Sequence, residues 1–185
     1  MLADTLETEA RAAFDRLGEA DSIVIDPHKH GLQPYGCGCV LFKDPAVGKF
    51  YQHESPYTYF SSAELHLGEI SLECSRAGAS AVALWATMKL FPLVAGGDLA
   101  RGLEKGRKAA LALFDKAQGD PDFLTAFAPE LDIVIWAPKG TAASEISARS
   151  RQIFDVAAKQ DLHLAVASFP RAMLAPHWKI DWNCE

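Results

Sequence analysis

The chain has 185 residues, a formal charge of −6 and 49% apolar side chains, enough for one domain or for two small lobes that share a core. An acidic balance without a basic stripe argues against nucleic acid as a partner. No apolar run is long and uncharged enough to span a bilayer, and Met1-Leu2-Ala3-Asp4 lacks the basic-then-apolar order of a secretory signal, so a cytoplasmic location with no membrane partner is expected.

The spacing of Leu6, Ala10, Ala13, Phe14 and Leu17 predicts a helix over residues 4–17 that ends at Gly18. Residues 20–26 follow as a strand whose apolar run, Ile23-Val24-Ile25, reads as buried. It stops at Asp26-Pro27, because proline cannot donate to a ladder. Directly after the stop come His28 and Lys29. A lysine at the tip of a buried strand can be desolvated, which disfavours the ammonium and frees an amine for Schiff-base chemistry with a carbonyl compound or pyridoxal phosphate. On spacing alone, a solvated loop lysine is the better reading.

Gly31, Gly36 and Gly38 then allow backbone to approach a ligand or another chain closely. Residues 39–42 read as a second strand, and Asp44-Pro45 opens a turn or short helix. Cys37 and Cys39 stand too close for a zinc knuckle. With His28 and His30 they do not converge on a metal, so the two thiols are expected as small apolar filling in a buried strand and no metal is expected. A cytoplasmic setting also argues against disulfides.

Residues 51–72 lose all periodicity but carry Tyr51, Tyr57, Tyr59 and Phe60 with Ser61, Ser62 and His66. A loop of that length and aromatic content is expected to be functional. Residues 75–91 read as a helix rich in small residues, mostly alanine, ended by Pro92. Arg76 sits in its first turn, where the helix dipole disfavours a cation and a nearby anion would offset the cost. Two readings stay open: a surface arginine paired with a carboxylate such as Glu73, or a fork that grips a substrate carboxylate.

Gly96-Gly97 marks a break, and Asp98 is the expected N-cap of a helix over residues 99–118 with Leu103, Ala110, Leu111 and Phe114 on one face. Strands are predicted at 123–127 and 133–136. A helix capped by Thr141 runs to about residue 160, with Ile146, Ile153, Phe154 and Ala157 buried, and a last strand covers 162–169. This order fits a small α+β lobe. His53, His66, His163 and His177 share no ligand spacing and read as surface or satisfied core residues. Gly36-Cys37-Gly38 is too little for a dinucleotide fingerprint.

The segment His28-Lys29-x-Gly31-Leu32-x-Pro34-x-Gly36-Cys37-Gly38-x-Val40, followed by Lys43-Asp44, resembles the cofactor-lysine segment of the group II pyridoxal-phosphate decarboxylases, a superfamily of glutamate, aspartate and tyrosine decarboxylases and sphingosine-phosphate lyases. Ser75-Arg76-Ala77-Gly78 is similar to a second element of that superfamily, in the same order. The resemblance implies an α/β, fold-type I PLP-dependent transferase-like fold, as an incomplete large-domain portion plus an α+β C-terminal small domain. It places the C-terminal part of the PLP-binding domain at residues 1–92 and the small domain at 93–185. It also implies a carboxy-lyase of carboxylic- and amino-acid metabolism, with Lys29 carrying pyridoxal 5'-phosphate, His28 against the cofactor and Arg76 on the amino-acid substrate's carboxylate. A homodimer is implied for the full-length form, with the loop over 51–72 at its interface. Another fold-type I reaction, such as transamination or aldehyde-lyase chemistry, and a non-catalytic fragment are the alternatives.

The departures from the family lie upstream. Its aspartate to the pyridine nitrogen, its ring-stacking histidine and much of its phosphate cradle precede the lysine, and the 28 residues before Lys29 contain no matching segment. The chain also ends without the family's closing helix. It therefore reads as the back part of such an enzyme, one copy cut short.

Overall fold

The structure, a computed structural model, describes residues 6–52 and 78–183. The chain divides into two compact units, Met1–Leu103 and Glu104–Glu185.

The described part of the first unit begins with helix α1 (Thr8–Asp15) and a 3-10 turn (Arg16–Glu19), where a helix was predicted over 4–17. Its apolar face is open to solvent: Phe14 and Leu17 are 50% and 44% exposed. Strands β1 (Ser22–Ile25) and β2 (Cys39–Phe42) pair antiparallel, from Ser22 opposite Phe42 to Ile25 opposite Cys39. The expected burial of the first strand fails, since Val24 is 72% exposed and Ile25 43%. The reason is that a two-stranded ribbon has two open faces. No described helix or strand packs extensively along either. A 3-10 segment (Pro45–Phe50) follows, started by the Asp44 carboxylate accepting from the Ala46 N–H at 2.9 Å. Helix α2 (Ala79–Leu90) covers the later part of the helix predicted over 75–91; the predicted first turn with Arg76, and the loop with Ser61, Ser62, His53 and His66, lie outside the described residues.

The tightest packing among the described residues of this unit is in the loop between the strands, where Pro27, Gln33 and Cys37 are buried. Gln33 Nε2 donates to Thr87 Oγ1 of α2 at 2.7 Å, and the Cys37 thiol lies 3.9 Å from the Ser80 carbonyl. Cys37 therefore does fill a buried position, but in the glycine-rich loop rather than in a strand. Cys39 is only half-buried in β2.

Helix α3 (Asp98–Gln118) buries Arg107, Ala110, Phe114 and Ala117, a stripe at helical spacing. Asp98 is the first residue inside this helix rather than its N-cap; its carboxylate pairs with the Arg101 guanidinium one turn on. In the second unit β3 (Phe123–Thr125) and β4 (Trp136–Pro138) pair antiparallel, displaced from the predicted 133–136 toward Pro138. Helix α4 (Ala143–Ala158) is preceded by Thr141, whose backbone N–H and hydroxyl donate to Glu145 Oε2 at 2.9 and 3.3 Å. Of its predicted stripe, Ile146 and Ala157 are buried, and Ile153 and Phe154 are half-buried.

The core of this unit is Ala126, Ala137, Ile146, Leu174 and Trp178, with Phe127, Ile135, Phe169 and Trp182 against it. The Trp178 indole N–H donates to the Thr125 carbonyl at 2.8 Å and its ring stacks on Trp182. Residues 162–169, expected as a strand, form none. A strand needs a ladder, and among the described residues this segment's one backbone bond is the Leu162 N–H to the Ala157 carbonyl, which finishes α4. It borders a largely apolar cavity of about 980 Å³ that Ile133, Val134 and Ile135 also line. A short helix α5 (Arg171–Leu174), which the sequence pattern did not reveal, follows Pro170.

Candidate active site

The candidate site is the turn that leaves β1. The chain reverses over Asp26-Pro27-His28-Lys29: the Lys29 N–H donates to the Asp26 carbonyl at 3.0 Å, and the Gln33 N–H to the Pro27 carbonyl at 3.2 Å. Gly31 is required here, since a Cβ at that position would stand 2.6 Å from the Pro27 carbonyl oxygen and 2.8 Å from its Cα. Leu32 then takes a left-handed backbone, φ 59°, an uncommon conformation for a bulky side chain. The Gln33 side chain locks the reversal: its Nε2 donates to the Gly31 and Leu32 carbonyls as well as to Thr87 Oγ1. The buried Gln33 Oε1 has no hydrogen-bond partner among the described residues.

This turn sets the geometry of the predicted site residues. The Lys29 Nζ lies 2.7 Å from Asp26 Oδ2, and its side chain is 66% exposed. The hydrogen bond and charge of Asp26 hold the Lys29 ammonium above its ordinary value, and the same hydrogen bond holds the Asp26 carboxyl below its own. The desolvated, readily deprotonated amine expected from a buried strand is therefore not what this structure presents. The exposed ribbon leaves solvent around the lysine, and an adjacent carboxylate stabilises its charge. His28 stacks on Tyr35 with ring centroids 5.0 Å apart and planes 28° from parallel.

A cavity of about 290 Å³ is lined by Lys29, His30, Leu32, Phe91, Asp98 and Leu99, among others. This is at the small end of the range for small-molecule sites. Asp98 reaches it with its carboxylate already engaged by Arg101. Asp26 and Tyr35 were not singled out from the sequence. Asp26 was read only as the end of a strand, although an acid three residues before a lysine across a proline turn was the available signal. Arg76, the predicted substrate residue, lies outside the described residues. Among the described residues no group of three or more His, Cys, Asp or Glu side chains is arranged to hold a metal ion.

Comparison with known proteins bears on this turn. No family model matches the chain. It is 36% identical over 91 residues to the L-tyrosine decarboxylase of Enterococcus faecium, covering 48% of this chain and 15% of that one. It is 30% identical over 174 residues to the "Probable L-tyrosine/L-aspartate decarboxylase" of Methanothermobacter thermautotrophicus, covering 89% of this chain and 42% of that one. Among solved structures it superposes on Oryza sativa TDC, solved with PLP and tryptamine, with a TM-score of 0.73 at 19% identity, over 86% of this chain and 34% of that one. Mouse CSAD gives 0.66 at 18% identity, over 90% and 37%.

The fold these likenesses define is that of the fold-type I PLP-dependent enzymes, in part. In sequence the chain is similar to proteins named as L-tyrosine and L-tyrosine/L-aspartate decarboxylases, the likeness its His28-Lys29 and glycine motifs implied, and it spans between 15% and 42% of the length of the two curated relatives described.

Proposed function

We propose that this chain carries the cofactor-lysine part of a pyridoxal-phosphate-dependent amino-acid carboxy-lyase, with Lys29 as the attachment point, His28 at the cofactor and Arg76 on the substrate carboxylate. The observation that carries the reading is the Lys29 turn: a primary amine with open approach, beside a cavity, in a chain related along most of its length to decarboxylases. The residues present fit the aldehyde end of the group, which needs a reachable amine and room for a small ring. When bound, the cofactor supplies an aldehyde that condenses with amines and a ring that accepts the electron pair left when a bond to the amino acid's α-carbon breaks.

The chain's own residues contribute the rest. Lys29 must give up a proton before its nitrogen can form a bond. His28 presents a flat ring whose position its stack with Tyr35 restrains. Arg76 would grip a carboxylate in a two-point fork. The printed names of the relatives make L-tyrosine and L-aspartate the first substrates to test.

Residues 1–92 as the back of a cofactor-binding domain and 93–185 as a small domain belong to the same reading. So does a homodimer, supported by the apolar surface of the described residues: Val24 and Val40 on the ribbon, and Val82, Trp85 and Leu90 on α2, are all more than half exposed. A cytoplasmic location is supported by the free thiols of Cys37 and Cys39. Among the described residues no helix is long and apolar enough to cross a membrane.

The test is to incubate the protein with pyridoxal phosphate, reduce with borohydride and map the adduct by peptide mass. A phosphopyridoxyl group on Lys29, lost in Lys29→Ala, is expected. An unlabelled Lys29 in well-folded protein overturns the reading. Decarboxylation of L-tyrosine or L-aspartate, with Arg76→Ala lowering turnover while leaving the adduct in place, is the expected second result.

A further inference from the structure

We propose that Asp26 is a positioning residue that latches the Lys29 side chain onto the end of its own strand, so that an aldehyde must break this ion pair before it can reach a free amine. The proposal deepens the reading of Lys29 as the attachment point and rests on it.

The latch is built by the backbone. The Lys29 N–H to Asp26 carbonyl bond closes one turn and brings residues 26 and 29 to the same side, which sets the 2.7 Å contact between Nζ and Oδ2. Three further features hold that turn closed: the place at Gly31 with no room for a Cβ, the left-handed Leu32, and Gln33 bonded by its N–H to the Pro27 carbonyl and by its side chain to two carbonyls of the turn and to Thr87. Such a contact is not the chance meeting of two long side chains on a surface.

The other charged or titratable groups around the amine do not replace Asp26. His28 is stacked on Tyr35, and Tyr35 adds a lesser interaction that favours the charged lysine. Asp98 on the shared cavity wall is paired with Arg101, and His30 lines the same wall.

The chemistry follows from the lone pair. Condensation of an amine with an aldehyde forms a carbon–nitrogen double bond; the amine nitrogen supplies the electron pair and loses both its protons, and the carbonyl oxygen leaves as water. An ammonium has no lone pair to give. A carboxylate that stabilises the ammonium therefore sets how much of Lys29 is competent at neutral pH.

The deciding measurement is the Lys29 titration itself, read by NMR after ¹³C reductive methylation of the full chain, with Lys29→Arg to assign the signal. The Lys29 pKa is expected to fall in Asp26→Asn and to return toward the wild-type value in Asp26→Glu. An unchanged Lys29 pKa in Asp26→Asn overturns the latch, whether or not the chain takes the cofactor. In a second arm, borohydride-fixed labelling of Lys29 by pyridoxal phosphate at pH 7 is expected to rise about two- to fivefold in Asp26→Asn, the range for an exposed pair. That advantage should vanish at a pH above the lysine's own titration. A labelling gain that is the same at every pH would mean that Asp26 acts by obstruction and would overturn the latch. Absence of labelling in the wild type at any pH would instead fall on the attachment role of Lys29, which the titration arm does not need.

Discussion

At the scale of single residues, Gly31 is the most constrained position of the Lys29 turn. Gly31→Ala would drive a methyl group into the Pro27 backbone, which cannot move as a flexible side chain could. The turn should open, the Lys29 pKa should drop toward that of a free lysine, and melting should shift down by more than the roughly 1 kcal/mol typical of a glycine change. Trp178 sets a second test. Trp178→Phe removes a buried indole donor and strands the Thr125 carbonyl, with an expected loss of about 1–3 kcal/mol by urea unfolding.

Position along the chain pointed to a solvated loop lysine, and the exposed Lys29 side chain agrees with that; only the motif resemblance singled the residue out for function. Its electrostatics were not legible. Whether an amine is dry depends on what covers its strand, and whether a carboxylate touches it depends on a turn that only the folded backbone fixes. The motif similarity supplied the lineage, and the turn supplied Asp26.

At the scale of elements, the first turn of α4 couples to pH. Glu145 accepts hydrogen bonds from Thr141, above all from its backbone N–H, and these hold its carboxyl below the ordinary 4.5. A depressed carboxyl stabilises the fold fully above the unfolded value and loses that contribution as pH falls through the folded one. Glu145→Gln should therefore weaken the fold at neutral pH and flatten the acid limb of its stability curve below about pH 4.5, as read by thermal melts across pH.

Amphipathic patterns located α3 and α4 well, because each buries one stripe. The strand expected over 162–169 failed for the complementary reason: alternation marks a face, but only a neighbour's backbone makes a ladder. Nine of the twelve residues of α2 are apolar, with only Ser80, Thr87 and Lys89 polar, and so apolar a helix is ordinarily buried over most of its surface. Placing charges there, as in Val82→Lys with Trp85→Glu, should reduce self-association in sedimentation without lowering the melting temperature of the second unit.

At the scale of the whole molecule, the two units differ in how they are held. The second has a cluster of buried side chains from β4, α4 and the C-terminal segment. The first buries its loop and leaves its ribbon open. Hydrogen exchange should therefore be slowest in α4 and the later turns of α3, and fastest across β1 and β2. Uniform protection across both units would show that the ribbon has found a cover. The composition spoke of ample apolar material, and it was right about the amount. It could not say how much of that material lies inside, because burial depends on how many layers are stacked and not on how greasy each layer is.

The bond from Gln33 to Thr87 has a mechanical meaning. It rivets the bend that carries the lysine to a helix residue fifty-four positions further along the sequence. Anything that rolls α2 by a fraction of a turn, a docking neighbour or a single replaced hydroxyl, would pull on the bend that sets Lys29 against Asp26.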